Sequence, residues 1–264
     1  MSKVRIIEHK WAYQQTCQFP VGSWQFDMLE HPVDLVFADP PYNYGVAYAD
    51  DPTRDEMPEE EYFTWCDSVV YQLKNLAKPD GMLWWLCPAE YGLRMWTILA
   101  RYGRLLYGKP VVFYERFSQY QKRRLTSDYR LLFPVCFGRD PQFHGDLIRE
   151  QSVRQQMGDP RADPAGRVPG HVWQVRRLQG TATARVDWHP AQIAPEPLER
   201  IVLGWTDPGA TVMDAFAGSG SLGLICKKHE RNFVGVDGSG TYCKKIEERL
   251  NEKHPQRMPA ATGP

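Results

Sequence analysis

The chain has no net charge: its 32 lysines and arginines balance 32 aspartates and glutamates over 264 residues. An excess of one sign would mark a strongly basic polyanion binder or an acidic solvating chain, so here only local charge can mark a binding surface. No apolar run approaches the ~18 residues that cross a bilayer. The opening segment, MSKVRIIEHKWAYQQ, lacks the apolar centre of a secretion signal, and a cytoplasmic location is expected. The six cysteines, Cys17, Cys66, Cys87, Cys136, Cys226 and Cys243, include no Cys-x-x-Cys pair. Most lie in apolar segments, which predicts buried free thiols rather than disulfides or a zinc site. The seven histidines show no ligand spacing, so no metal is expected. There is no internal repeat.

What is present is enough apolar material for a core, 42% of the residues, on a length that fits one large α/β domain or one domain with an insertion. Residues 33–38 (VDLVFA) form a short, partly β-branched run stopped by Asp-Pro-Pro, the pattern of a buried strand and a forced turn. In residues 58–78, Tyr62, Cys66, Val69, Leu73 and Leu76 recur in steps of four and three, one face of a helix. Pro58 and the acidic Glu59–Glu61 suit its N-terminus. Asp80-Gly81 turns the chain into a strand over 82–87, in which Trp84 and Trp85 read as core. A helix is expected over 90–102 and strands over 111–117 and 131–137. From 138 to 188 Gly, Pro, Arg, Asp and Gln dominate and periodicity fades, as in a loop-rich insertion. Regular alternation then returns: helix 195–205, strand 211–216, helix 219–229, strand 232–237, and a last helix capped by Ser239 with Tyr242, Ile246 and Leu250 on one face. The tail beyond 253, rich in Pro, Ala and Gly, is expected to be disordered. Such alternation predicts a mostly parallel sheet with helices on both faces.

Two motifs sit at strand ends, where open α/β sheets bind ligands. In Asp214-Ala-Phe216-Ala-Gly218-Ser219-Gly220 the glycines let the backbone turn tightly and approach a ligand. One helix and one strand later stands Asp237, whose carboxylate can accept from both hydroxyls of a ribose. Together they suggest a pocket for an adenosine-containing cofactor. The absence of G-x-G-x-x-G and of a P-loop lysine argues against NAD and nucleoside triphosphates. A plain strand-to-helix turn with a surface Asp is the bland alternative. The second motif is Asp39-Pro40-Pro41-Tyr42. Asp39 is a strong acceptor for an amino group, the prolines stiffen the backbone and keep donors away from their carbonyls, and Tyr42 offers a face on which a base can stack. A Pro-rich turn with a capping Asp and a core Tyr is the alternative here.

Together the motifs resemble those of the DNA amino-methyltransferases that act on adenine N6 or cytosine N4. Asp39–Tyr42 matches the family's catalytic D/N/S-P-P-Y/F, and Phe216–Gly220 its F-x-G-x-G cofactor motif. The catalytic motif comes first, the permuted order of the β group. His189-Pro190-Ala191-Gln192 resembles that group's H-P-T-Q-K-P, with Ala191 in place of Thr and Ile193 in place of Lys. The resemblance spans about 33–250 and implies a Rossmann-like S-adenosylmethionine-dependent methyltransferase fold, an α/β sheet of seven strands in permuted order. It divides the chain into an N-terminal part with the catalytic motif (1–137), an inserted target-recognition region (138–188), a C-terminal part with the cofactor motif (189–253) and a tail (254–264).

The resemblance further implies S-adenosylmethionine on Asp214, Phe216, Gly218, Ser219, Gly220 and Asp237, enclosed by His189 and Gln192. Asp39 and the Pro40 carbonyl would accept the amino hydrogens of a flipped base, with Pro41 and Tyr42 completing the catalytic set. Asp in the first motif position favours adenine N6. Cytosine N4 is the alternative, followed by an RNA amino-methyltransferase and a non-catalytic nucleic-acid-binding subunit. DNA is the expected partner, and the group offers a separate restriction endonuclease and a homodimer as further associations. For DNA contact the candidates are Tyr44 and Tyr48 near the base, and the basic residues Lys122, Arg123, Arg124, Arg176 and Arg177. Lys122–Arg124 lie in a locally basic stretch that runs from Arg116 to Arg130 and could bind phosphates.

Overall fold

The computed structural model describes residues 3–8, 32–48, 55–115, 122–123, 125–176, 178 and 185–252. In chain order the elements are β1 (Val4–Glu8), β2 (Val33–Ala38), α1 (Glu59–Leu76), β3 (Ala77–Pro88), α2 (Gly92–Leu99), β4 (Arg104–Leu105), β5 (Val111–Glu115) and β6 (Tyr129–Cys136). They continue with α3 (Val153–Gln156), β7 (Val172–Val175), α4 (Pro195–Trp205), β8 (Thr211–Asp214), α5 (Ser221–Lys228), β9 (Asn232–Asp237) and α6 (Gly240–Asn251). The nine strands among the described residues join one sheet in the order β1-β9-β8-β2-β3-β6-β5-β7, with the two-residue β4 beside β6. The sheet of the described residues thus has nine strands where the resemblance implied seven. Pairing is parallel from β1 through β3 and between β5 and β7. It is antiparallel wherever β6 is a partner.

Alternation along the strands sorts the core into two layers. Leu35 and Phe37 of β2, Met82, Trp84 and Leu86 of β3, and Val212 of β8 face α4, α5 and α6. Val36 and Ala38, Leu83, Trp85 and Cys87, and Met213 face α1 and α2. Trp84 and Trp85 point to opposite faces and are both fully buried, as successive residues of a strand buried on both sides must be. Every apolar position that marked the α1 face is buried. Cys66, Cys87, Cys136, Cys226 and Cys243 are buried free thiols, and Cys17 lies outside the described residues.

Several boundaries differ from the sequence expectation. The helix expected over 90–102 is a 3-10 turn at Ala89–Tyr91 followed by α2. Strand β8 stops at Asp214 and α5 starts at Ser221, because Gly218 and Gly220 both take positive φ. The opening segment supplies β1, parallel to β9, where no strand was expected. Within 138–188, strand β7 pairs with β5, and α3 is closed by a reciprocal capping box between Ser152 and Gln155. The tail from 253 onward lies outside the described residues.

The connections place the site. The β2–α1–β3 crossover covers one face of the sheet, and β8–α5–β9 covers the other. The neighbours β2 and β8 therefore form a topological switch point, and a crevice opens beyond their carboxyl ends. Asp39 and Asp214 both stand there. Among the described residues no helix is long and apolar enough to cross a membrane.

Candidate active site

Three parallel strand ends are pinned to one another. The Ala215 N–H donates to the Phe37 carbonyl (2.9 Å), joining the loop after β8 to the end of β2. The Ala217 N–H donates to Val236 O (2.8 Å), joining the loop after β8 to the end of β9. Asp39, Asp214 and Asp237 are thus carried at the mouth of one crevice. The loop after β8 takes its shape from Gly218 (φ +50°) and Gly220 (φ +73°). A Cβ on Gly218 would stand 2.8 Å from His189 Nε2, and one on Gly220 would stand 2.9 Å from Ile246 Cγ2. Only bare backbone fits under the imidazole.

Asp237 accepts from the N–H groups of Gly218 (2.8 Å) and Ser239 (2.9 Å), one on each oxygen. Asp214 is buried, accepts from the Phe216 N–H (3.2 Å), and has its carboxyl pushed up to about 8 by burial and by Asp39 and Asp237. Phe216 lies edge-on to Trp65, with centroids 6.0 Å apart. Ser219 is buried with its hydroxyl 3.0 Å from that of Ser221. Only its backbone lines the loop, and its carbonyl accepts from Arg249. His189 packs on Tyr242 at 4.9 Å, and burial lowers its imidazole to about 4, so it is neutral near pH 7. Gln192 accepts from the Val186 N–H (2.8 Å) and donates to Ser221 Oγ (3.2 Å), stapling this segment to the start of α5. Ile193, standing where the resembled motif has Lys, is buried in the core and makes the loss of that charge intelligible. Bare glycine backbone under a neutral imidazole, with the Asp237 carboxylate beside it, suits a nucleoside cofactor.

On the other side of the crevice, Asp39 is half-buried and Pro40 is buried. The Tyr42 hydroxyl donates to Asp39 Oδ1 and accepts from Arg130 Nη1 (3.1 Å). Arg130 also binds Glu115 through Nη2 and lies 4.0 Å from Asp39 Oδ1. Arg130 was read in the sequence only as one end of a locally basic stretch. It is instead largely buried inside the site, because the β3–β6 register sets Pro88 opposite Arg130 at the site end of the sheet. Glu115, at the end of β5, was not singled out at all. The Pro41 carbonyl accepts from Tyr62 (2.9 Å), contrary to the expectation that both proline carbonyls stay unengaged.

The segment after the motif is held by Asn43, at φ +61°, whose amide pairs both ways with the Met57 backbone (2.9 and 2.7 Å). The two tyrosines beyond it diverge. Tyr44 is 54% exposed beside Tyr42, with its hydroxyl on Glu90. Tyr48 turns toward His189 (6.4 Å) and sits between the fields of Asp39 and Asp237, which places it on the side of the glycine loop. Lys122 and Arg123 are exposed in the β5–β6 connection, and Arg176 is exposed directly after β7. Both segments leave the sheet at the site end, because Glu115 pairs with Val175 and Pro88 with Arg130. Arg124 and Arg177 lie outside the described residues.

A switch-point crevice with a tight glycine loop on one side and Asp-Pro-Pro-Tyr on the other fits one class, the S-adenosylmethionine-dependent amino-methyltransferases. The chain belongs to the N6/N4 family of DNA methylases, whose family model matches residues 33–248. It is 27% identical over 228 residues to the DNA adenine methyltransferase YhdJ of Escherichia coli, covering 83% of this chain and 76% of that protein. It is 27% identical to the type II methyltransferase M.BglII of Bacillus subtilis, covering 80% of this chain and 61% of that one. Among solved structures, the M1.HpyAVI–SAM complex matches at TM-score 0.59 and 19% identity, over 94% of this chain and all of that one. The cytosine-N4-specific PvuII DNA methyltransferase matches at TM-score 0.62 and 16% identity, over 85% and 83%. These structural likenesses speak for the fold.

Proposed function

We propose that this DNA methyltransferase acts on adenine N6, with the base flipped into the crevice between the glycine loop and Asp39. The observation that carries the reading is the placement of Asp39 and Pro40 across the switch point from the Gly218 cradle. The chain's similarity to a protein named as a DNA adenine methyltransferase, and Asp in the first motif position, favour adenine over cytosine.

Asp214, Phe216, the Gly218–Gly220 backbone and Asp237 would hold S-adenosylmethionine, with His189 and Gln192 closing over it and Tyr48 flanking the imidazole. Bound there, that cofactor supplies a sulfonium-activated methyl group. Asp39 and the Pro40 carbonyl accept the two hydrogens of the amino group, which aims the nitrogen lone pair across the crevice. Tyr42, its hydroxyl engaged, presents a ring face to the base, and stacking offsets part of the few kcal/mol that flipping costs. As the nitrogen gains carbon it loses a proton, and Asp39 is placed to receive it. Catalysis is then mainly positioning in a site that excludes water. Lys122 and Arg123 hold the DNA backbone at the mouth, with Arg124 adjoining in sequence; Arg176, with Arg177 adjoining in sequence, reads guanine edges, and Tyr44 stands at the rim beside the base. Residues 138–188 carry target recognition. A separate endonuclease and a homodimer belong to this reading as its possible assemblies.

The test is methyl transfer from labelled S-adenosylmethionine to unmodified duplex DNA, with nucleoside mass spectrometry. The expected product is N6-methyladenine, abolished in Asp39→Ala while cofactor affinity stays within about threefold. N4-methylcytosine would correct the base. Equal loss of cofactor binding and transfer in Asp39→Ala would overturn the role of Asp39.

A further inference from the structure

Nothing in the Asp-Pro-Pro-Tyr motif calls for an arginine, yet one sits against it. Arg130 enters on β6, opposite Pro88 of β3 and Phe113 of β5. Its side chain is 22% exposed, and its guanidinium lies 5.0 Å from the centre of the Phe113 ring. One nitrogen reaches the Tyr42 hydroxyl and the other reaches Glu115. We propose that Arg130, clamped by Glu115, is a positioning residue that orients the Tyr42 phenol and the Asp39 carboxylate as one acceptor unit. This rests on the reading of Asp39 as the acceptor of the amino group.

The direction of the hydrogen bonds follows from chemistry. A guanidinium only donates, so the Tyr42 oxygen must accept from Arg130 and turn its own proton elsewhere. The acceptor in reach is Asp39 Oδ1. Oδ1 is thereby occupied, and Oδ2 is left to the base. A chain of donors running Arg130 to Tyr42 to Asp39 polarises each link and fixes both rotamers. A planar fork can serve Tyr42 and Glu115 at once, which a lysine ammonium on a flexible stem does less well.

The charges make the arrangement testable. Asp39 faces Arg130 from β6, Glu115 from β5, Cys87 from β3, Asp214 from β8, and Tyr42 and Tyr48 from its own loop. Burial raises its carboxyl above the ordinary value; Arg130 and the Tyr42 hydroxyl pull it down, and Glu115 pushes it up. A protonated carboxyl is a weaker acceptor, so the acid limb of the reaction follows this balance. The two halves of one ion pair should therefore act in opposite directions on Asp39, and the orienting role is read separately from the plateau rate of Arg130→Lys, which keeps the charge.

The experiment is a carboxyl carbon NMR titration of Asp39, identified by its loss in Asp39→Asn, in the parent, Arg130→Gln, Arg130→Lys and Glu115→Gln proteins. It is paired with the pH profile of single-turnover transfer to DNA. Arg130→Gln should raise the Asp39 titration and the acid limb by about one pH unit or more. Glu115→Gln should lower both. Arg130→Lys should restore the titration point but not the full plateau rate, because it cannot fork. If Arg130→Gln does not fold, the Lys and Glu115 variants still decide. An unmoved Asp39 titration, or shifts of the same sign in Arg130→Gln and Glu115→Gln, overturns the proposal. A parent enzyme that leaves DNA unmethylated would instead overturn the acceptor reading, and the titration would still decide the electrostatic coupling.

Discussion

Gly218 bears two constraints at once, a left-handed backbone and an imidazole 2.8 Å from where a Cβ would stand. Alanine there costs about 1–2 kcal/mol for the backbone conformation, and it also displaces His189 from the cradle. Gly218→Ala should lower cofactor affinity at least tenfold, about 1.4 kcal/mol, measured by calorimetry. A parental affinity would remove His189 and the glycine from the binding account. The sequence made this residue legible, because glycines at a strand-to-helix junction have few other reasons to be there. Arg130 was illegible for the opposite reason. A charge within a basic stretch reads as solvated, and only the strand register reveals that it faces inward. Its partner Glu115 lies on another strand, and no local periodicity connects the two.

At the scale of elements, α6 joins capping to the site. The Ser239 hydroxyl accepts from the Tyr242 N–H (3.1 Å), and the Ser239 N–H donates to Asp237. The Tyr242 ring, one turn into the helix, supports His189. Ser239→Ala should cost about 1 kcal/mol of stability, whereas Ser239→Gly should cost only a few tenths, compared by urea denaturation. A Ser239→Ala loss near zero would mean that the hydroxyl is not acting as a cap. This cap was legible, as were α1 and α4, since each has a start signal and a clear apolar face. Strand β1 was not. Its pairing with β9 spans nearly the whole chain, and its VRIIE core has no alternation to announce it. Strand β7 was hidden in a stretch rich in Gly and Arg, where two apolar residues, Trp173 and Val175, suffice to bury one face at the sheet edge.

For the molecule as a whole, motif order and strand-end placement implied the permuted sheet, but the lateral order of the strands came only from the structure. That order brings Asp39, Asp214 and Asp237 to one crevice, and the stability of the cofactor-free protein should register it. Burial raises Asp214 from 3.8 to about 8, so between those values the folded state keeps a proton that the unfolded chain has lost. Its contribution is complete below pH 3.8 and is lost by about 1.4 kcal/mol per pH unit as pH rises toward 8. His189 works in the other sense. Burial lowers it from 6.5 to about 4, so between those values the unfolded chain holds the extra proton and stability rises with pH. The two slopes oppose one another from about pH 4 to 6.5, and above 6.5 Asp214 acts without that opposition. Asp214→Asn should therefore remove a decline of stability between pH 6.5 and 8 and steepen the rise below 6.5, each read as the difference from the parent in denaturant titrations. His189→Gln should change only the lower window. A parent-to-Asp214→Asn difference that stays constant across both windows would show that Asp214 is ionised in the folded protein, and that the three carboxylates do not share the crevice in the way their strand ends imply.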